Sequence, residues 1–289
     1  MAQRWVALAL FLLSACAQDF PRPETAGHPD SSPDGRQIFE WTFVAHGGDR
    51  LTALTDVNVS LEGDWPFLLP LIQPLLADDG YRVQSQERLL PNEAVYSVDY
   101  HGPAGQKRVL RTRSEIRVLY DGVESADEAV LQSTAVTADS YLFFLLGPLA
   151  MAPQADSFVR LEDGVEDGRR YFRIYSPLVP GVGLSERDEL VVWVDAETLR
   201  TFRVHFTLEG YAPTRGAHVD VTFLDHVELD GYVLPTRFHE RVLAPLAIDA
   251  HTWWLTGLDI NRGLTLSDLG VDAWSARAAR PATSINAPD

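Results

Sequence analysis

Apolar residues recur at every second position through much of this chain, beginning near residue 57. In the clearest case polar residues separate four apolar ones: Phe202, Val204, Phe206 and Leu208. The same alternation runs through 219–223 and 96–100. A period of two predicts β-strands with one buried face and one polar face. Many such strands indicate a mainly β (α+β) protein, built on a large antiparallel sheet.

Further segments have the composition of strands: 57–63, 81–90, 106–113, 115–120, 157–162, 169–176, 189–195, 233–242 and 251–260. Turn signals separate many of them, and these are 102–105, Asp121-Gly122, Asp163-Gly164, Asp167-Gly168 and Asp230-Gly231. Asp-Gly between two alternating runs is typical of a tight hairpin. The strands are therefore expected to follow one another as hairpins.

A helix is expected before the first strand. Four residues share one face at helical spacing, with Asp34 available as the N-cap and Gly47-Gly48 as the terminator: Ile38, Phe39, Thr42 and Phe43. His46-Gly47-Gly48 is similar to an oxyanion-hole motif of lipases, but helix termination explains it better.

Two strongly apolar segments are available to cover the inner face of the sheet. One is 127–151, whose end contains Phe143, Phe144, Leu145 and Leu146. These four side chains are expected in the core, and they are candidates for the wall of a cavity that accepts acyl chains.

The other segment, 65–76, contains three prolines, which argue against one long helix. Short helical turns are expected there, between the first and second strands. The segment is a candidate lid, or a loop that touches a bilayer, and its candidate residues are Trp65, Phe67, Leu68, Leu71, Ile72 and Leu75.

Asp225 falls on the apolar phase of its strand. It is a candidate polar anchor inside a ligand cavity. The alternative is that it marks a bulge, or the point where the strand leaves the sheet.

The N-terminus resembles a bacterial lipoprotein leader. Arg4 precedes a short apolar run, and small residues lead to Cys16, the only cysteine. This predicts a signal peptide over 1–15 and a lipid on Cys16, although an ordinary secretory leader cut after Ala17 is the alternative. The next segment is rich in Pro, Asp, Ser and Gly, which predicts a flexible tether over 16–35. One continuous globular pattern follows and predicts a single domain over 36–275. The composition of 276–289 predicts a disordered tail.

Charge and composition exclude several functions. The formal charge of −17 disfavours nucleic-acid binding, because a phosphate backbone would be repelled. An anionic membrane surface would be repelled too, so membrane attachment is expected through lipid rather than a basic patch. With Cys16 acylated, no disulfide or thiolate metal site is available. The histidines lack metal-binding spacing and 183–187 lacks the second glycine of a nucleophile elbow, so we predict no metal, no cofactor and no enzyme activity. His205 and His218 take the polar phase of their strands and are expected on a solvated exterior.

Two motifs indicate a family. Trp193-Val194-Asp195-Ala196-Glu197-Thr198, and the stretch 221–236 with Asp225, Asp230-Gly231 and Leu234-Pro235, resemble motifs of the outer-membrane lipoprotein-sorting (LolA/LolB-like) superfamily. The resemblance implies an unclosed antiparallel barrel whose helices cover an apolar cavity for a lipid or a lipidated client. Ala17 after the cysteine favours the outer membrane, facing the periplasm. The alternative is a structural or accessory lipoprotein whose barrel is filled by its own side chains.

Overall fold

The structure, a computed structural model, describes residues 18–27, 29, 32–151, 155, 157–272, 274 and 283–285. The predicted leader and Cys16 lie outside these residues. So does most of the predicted tail.

Within the described residues the strands form one antiparallel sheet. They are β1 (Val57–Asp64), β2 (Gln84–Leu90), β3 (Val95–Gly102), β4 (Gly105–Arg111), β5 (Ile116–Tyr120), β6 (Val123–Glu124), β7 (Val159–Glu166), β8 (Arg169–Leu178), β9 (Asp188–Asp195), β10 (Thr201–Thr207), β11 (His218–Leu229), β12 (Tyr232–Ala244), β13 (Ile248–Ile260) and β14 (Thr283–Ser284). The two-residue β14 lies within the predicted disordered tail and pairs with β13.

Two meanders make up this sheet. β1 to β6 follow one another in space, β7 to β13 do the same, and β1 joins the two halves by pairing with β13. The sheet is not closed into a barrel, because β6 and β7 are its two edges. The predicted fold class is confirmed.

The helices of the described residues are α1 (Pro23–Ala26), α2 (Gly35–Ala45), α3 (Leu68–Ile72), α4 (Pro74–Ala77), α5 (Glu128–Leu146) and α6 (Pro148–Met151). The capped helix and the short helical turns after the first strand are present as predicted. Asp34 accepts a hydrogen bond from the backbone N–H of Gln37, and Ile38, Phe39 and Thr42 are buried.

Three Asp-Gly turns have the predicted geometry. Asp121, Asp167 and Asp230 have φ near +50°, each followed by a glycine with positive φ. The prediction of a turn at Asp163-Gly164 is wrong, because both residues lie inside β7. A Cβ on Gly164 would come 2.4 Å from a ring carbon of Trp193, so this glycine provides close packing instead.

α5 connects the two edges of the sheet and covers its inner face. By length and composition it could cross a membrane, but most of it is buried in this domain. The ring of Phe144 lies 5.9 Å from Phe206, 6.5 Å from Phe223 and 5.5 Å from Trp253, centroid to centroid. These contacts make α5 the centre of the hydrophobic core.

Residues 18–27, which the sequence assigns to a flexible tether, instead lie against the outer face of the sheet. We call them the strap. Phe20 is 4% exposed, and Arg22 forms a bidentate ion pair with Glu189.

His205 and His218 lie beneath the strap, so the expectation that they are solvated is wrong. His218 Nε2 lies 2.8 Å from the carbonyl oxygen of Gln18, and its Nδ1 lies 2.8 Å from His205 Nε2. The two bonds form one chain if both rings are neutral and each donates from Nε2. Alternation along a strand shows which residues share a face, but it does not show what covers that face.

Replacing Asp127 by alanine is expected to lower the free energy of unfolding by about 1 kcal/mol. Its carboxylate caps α5 by accepting hydrogen bonds from the N–H groups of Ala129 (2.8 Å) and Val130 (3.3 Å). Urea unfolding measures the change. Asp127→Asn is the control, since asparagine caps helices equally well, and an equal loss in both variants would contradict the capping role.

Candidate functional site

The apolar end of α5 is core rather than an open cavity wall. Phe143, Phe144, Leu145 and Leu146 are between 2% and 5% exposed and belong to the main hydrophobic cluster. The structure therefore supports the core interpretation for these four residues.

Residues 65–77 form a flap that covers one end of the inner face, with its two short helices meeting at Gln73. Four of the predicted residues point their side chains to solvent, and the exposed fractions are 84% for Phe67, 37% for Leu68, 65% for Leu71 and 47% for Ile72. Leu75 packs partly on the core. The prolines at the starts of these turns remove donors that a continuous helix would need.

Trp65 attaches the flap to the sheet. Its ring stacks on His251 with 3.7 Å between centroids, and its indole N–H donates to the carbonyl oxygen of Arg82 at 3.1 Å.

A cavity of about 20 Å³ lies beside the attachment of the flap, because Arg82 and His251 line it and both contact flap residues. Another cavity of about 10 Å³ shares Arg82 and Tyr100 with it. The larger holds about one water molecule. In this closed form both cavities are too small for an acyl chain, and the buried side chains of α5 are packed in the main hydrophobic core. The larger cavity is lined by Leu61, Glu62, Gly63, Arg82, Val83, Gln84, Ser85, Glu87, Tyr100, Tyr141, His251 and Trp253.

Arg82 is the buried cation of this site. Its Nη1 donates to the carbonyl oxygen of Leu76 in the flap at 2.5 Å, and its Nη2 donates to the Tyr141 hydroxyl at 3.2 Å. The guanidinium also lies over the rings of Trp65 and Tyr100. These contacts hold the closed flap against the sheet.

Glu87 is a buried carboxyl beside this cation. Its Oε1 accepts a hydrogen bond from the Ser85 hydroxyl at 2.8 Å. Burial raises the pKa of Glu87 to about 7. The partly exposed Glu240, which pairs with His251 across β12 and β13, has its pKa raised to about 7 by the same cause. Both carboxyls can take up protons near neutral pH.

His251 lies between two indole rings, since Trp253 stacks on it 4.7 Å away and Trp65 covers the other side. Burial holds the pKa of His251 well below its usual range, so the ring is neutral. Neither ring nitrogen has a hydrogen-bond partner among the described residues.

Sequence reasoning missed Arg82, Glu87 and His251. Each is a polar residue on a strand or just before one, where a solvated face is the ordinary interpretation. The available signal was the neighbouring flap, because an apolar insertion must cover something.

Asp225 lies outside this site. It is exposed at a register shift between β11 and β12, 3.9 Å from Arg237. The bulge interpretation is therefore correct and the cavity-anchor interpretation is wrong.

The described residues contain no group of three or more His, Cys, Asp or Glu side chains that could hold a metal ion.

His46 has a structural role, since its Nδ1 donates to the carbonyl of Val233 and its Nε2 accepts from the N–H of Thr201.

The strap and the flap lie at the same end of the sheet. Gln18 donates its N–H to the carbonyl of Leu243, next to the hairpin that joins β12 to β13. The flap begins directly after Asp64, which pairs with Thr252 near the start of β13. The strand that leads into the flap is therefore the next neighbour of this hairpin.

Comparisons with known proteins identify the fold. No protein-family model and no curated protein sequence matches the chain. A LolA superfamily protein from Nitrosomonas europaea superposes with a TM-score of 0.52 at 13% identity, covering 83% of this chain and 99% of that one. A DUF1329 family protein from Desulfovibrio piger gives a TM-score of 0.49 at 12% identity, again covering 83% of this chain and 99% of that one. The predicted resemblance is confirmed at the level of architecture, and the chain has the fold of a LolA superfamily protein.

Proposed function

We propose that this protein is a lipid-anchored protein of the bacterial envelope that binds the acyl chain of a lipid, or of a lipidated client, beneath the flap. The observation that carries the proposal is the flap itself. It exposes four large apolar side chains to solvent, and it is attached to Arg82 and His251, which line an aromatic cavity at the end of the sheet where the strap begins. Exposed apolar patches of this kind mark binding surfaces.

Binding requires the flap to lift, because the larger of the two cavities beside its attachment holds about one water molecule. The flap is built for such a movement, since its helices are five and four residues long and few of its side chains are fully buried. Each methylene that enters an apolar environment would contribute about 0.8 kcal/mol. A chain of ten or more carbons would therefore offset the lost contacts of Trp65 and Leu75.

The lipid anchor and the membrane that holds it belong to the same proposal. A lipid on Cys16 would place the flap close to a membrane, and Ala17 favours the outer membrane over the inner one. Cys16→Ser is expected to move the protein from the membrane fraction to the soluble fraction, and Ser14→Ala is the matched control that leaves the thiol in place.

The uncharged methyl ester of a brominated long-chain fatty acid tests acyl binding. With the full chain carrying Cys16→Ser, we expect saturable quenching of tryptophan fluorescence, because bromine quenches at short range. Trp253 lines the cavity, and Trp65 stacks on His251 in its wall. Trp65→Phe should remove a large part of the signal. Trp193→Phe is the control, since Trp193 lies on the outer face near Phe20.

The filled interior favours a second candidate, an accessory envelope lipoprotein that binds no lipid. Native mass spectrometry separates the two. Absence of bound lipid, together with absence of saturable quenching, would establish the second candidate and overturn the first.

A further inference from the structure

Three buried polar side chains meet at the small cavity beside the attachment of the flap. Arg82, Glu87 and His251 are 7%, 1% and 4% exposed. Among the described residues, four of their atoms have no hydrogen-bond partner: Arg82 Nε, Glu87 Oε2, and both ring nitrogens of His251. Buried polar groups are normally satisfied, so an unsatisfied cluster at one cavity needs an explanation. A polar ligand group that is present only when the flap is open would supply it.

The charge of Arg82 indicates the sign of that group. In the described residues no carboxylate bonds the guanidinium, whose Nη atoms instead donate to the carbonyls of the flap and to the Tyr141 hydroxyl. The nearby Asp78 bonds Lys107 at 2.6 Å and the Tyr120 hydroxyl at 2.8 Å. When the flap lifts, Nη1 loses its partner and becomes available. An anionic oxygen would replace the carbonyl and form a stronger, charge-assisted bond.

The neighbours of Arg82 limit the charge of the group. Arg82 is the one cation among the three side chains, and Glu87 lies in the same wall, so a doubly charged phosphate would bring more negative charge than the site balances. A single carboxylate fits this limit. The rings of Tyr100, Tyr141 and Trp253 line the same cavity, so the first carbons of a chain would meet aromatic surface.

We propose that the cavity beside the attachment of the flap binds the carboxylate of a long-chain fatty acid, with Arg82 as its ion-pair partner and with the neutral His251 and the protonated carboxyl of Glu87 as hydrogen-bond donors. The proposal rests on acyl binding under the flap and names its substrate class. In the closed state the flap carbonyl of Leu76 occupies the position that the carboxylate takes when bound.

A pair of probes tests it on the full chain carrying Cys16→Ser. A brominated long-chain fatty acid and its methyl ester have the same chain and differ only in the charged end. At pH 7 the acid is expected to bind about tenfold more tightly than the ester, as measured by tryptophan quenching. Arg82→Met removes the charge at similar length, and it should reduce that preference to about twofold or less.

Arg111→Met is the matched control. Arg111 is a comparably buried arginine that bonds Asp139 and does not line this cavity. It should leave the tenfold preference intact. Equal affinity of acid and ester in the unsubstituted cavity would overturn the carboxylate site while leaving acyl binding established. Failure of both probes to bind would overturn acyl binding itself. The comparison of the two probes needs no Arg82 variant, so it stands even if Arg82→Met does not fold.

Discussion

Replacing Phe144 by alanine is expected to lower the free energy of unfolding by about 3–5 kcal/mol. Phe144 is 2% exposed at the centre of the core, where α5 meets the sheet. Its ring contacts Tyr141, Phe206 and Trp253, and alanine would leave a cavity that these rigid rings cannot fill. Urea unfolding followed by circular dichroism measures the change.

Phe67→Ala is the matched control in the same residue type. Phe67 is 84% exposed, so its loss should change the free energy of unfolding by less than about 0.5 kcal/mol. A loss below about 1 kcal/mol for Phe144→Ala would show that the end of α5 borders a collapsible space. The closed structure would then underestimate the cavity available to a ligand.

Acid is expected to destabilise this protein strongly, beginning below pH 6.5. Burial lowers the pKa of His46 to about 4 and that of His205 and His226 to about 3. It also lowers the pKa of His218 and His251. His46, His205, His226 and His251 therefore stay neutral in the folded state down to about pH 4.5, and His218 is shifted in the same direction. In the unfolded chain the same rings take up protons near pH 6.5. The unfolded state therefore binds more protons, and stability falls as the pH falls.

Two carboxyls act in the opposite direction. Glu87 and Glu240 have folded-state pKa values raised to about 7, so between pH 7 and pH 4.5 they bind protons that the unfolded state does not. They add stability as the pH falls, but the four histidines that stay neutral outnumber them by two. At about 1.4 kcal/mol per pH unit for each excess proton, the net loss between pH 6.5 and pH 4.5 is at most roughly 6 kcal/mol.

Urea unfolding at a series of pH values measures this slope. Joint replacement of His205 and His218 by glutamine should flatten it, because two of the five titrating rings are removed. His101→Gln is the control, since this side chain is 53% exposed and outside the core. A slope that the double variant leaves unchanged would mean that the strap does not keep these two rings neutral.

The sheet could be predicted from sequence because its signal is local. Alternation in segments such as 202–208 and Asp-Gly turns such as Asp230-Gly231 depend only on neighbouring residues. Asp163-Gly164 shows the limit, because the same dipeptide served close packing against Trp193, which lies far along the chain.

Only the part of the site with a local signal could be predicted from the sequence. The flap could be found from its apolar residues and prolines. Arg82, Glu87 and His251 are buried by that flap and by strands distant in sequence, so their polar character suggested solvent. Phe20 likewise sits in a polar stretch typical of a tether, and its pocket is formed by β10 and β11.

The strap changes how far the domain can stand from an anchor. A free tether of about twenty residues would span about 25 Å on average. Gln18, however, is bonded to Leu243 and His218, which leaves only Ala17 between it and Cys16. The two steps along the chain from Gln18 to Cys16 span at most about 7 Å. A lipid on Cys16 would therefore hold the flap at a high effective concentration beside the bilayer, so that its encounter with lipid becomes an intramolecular event.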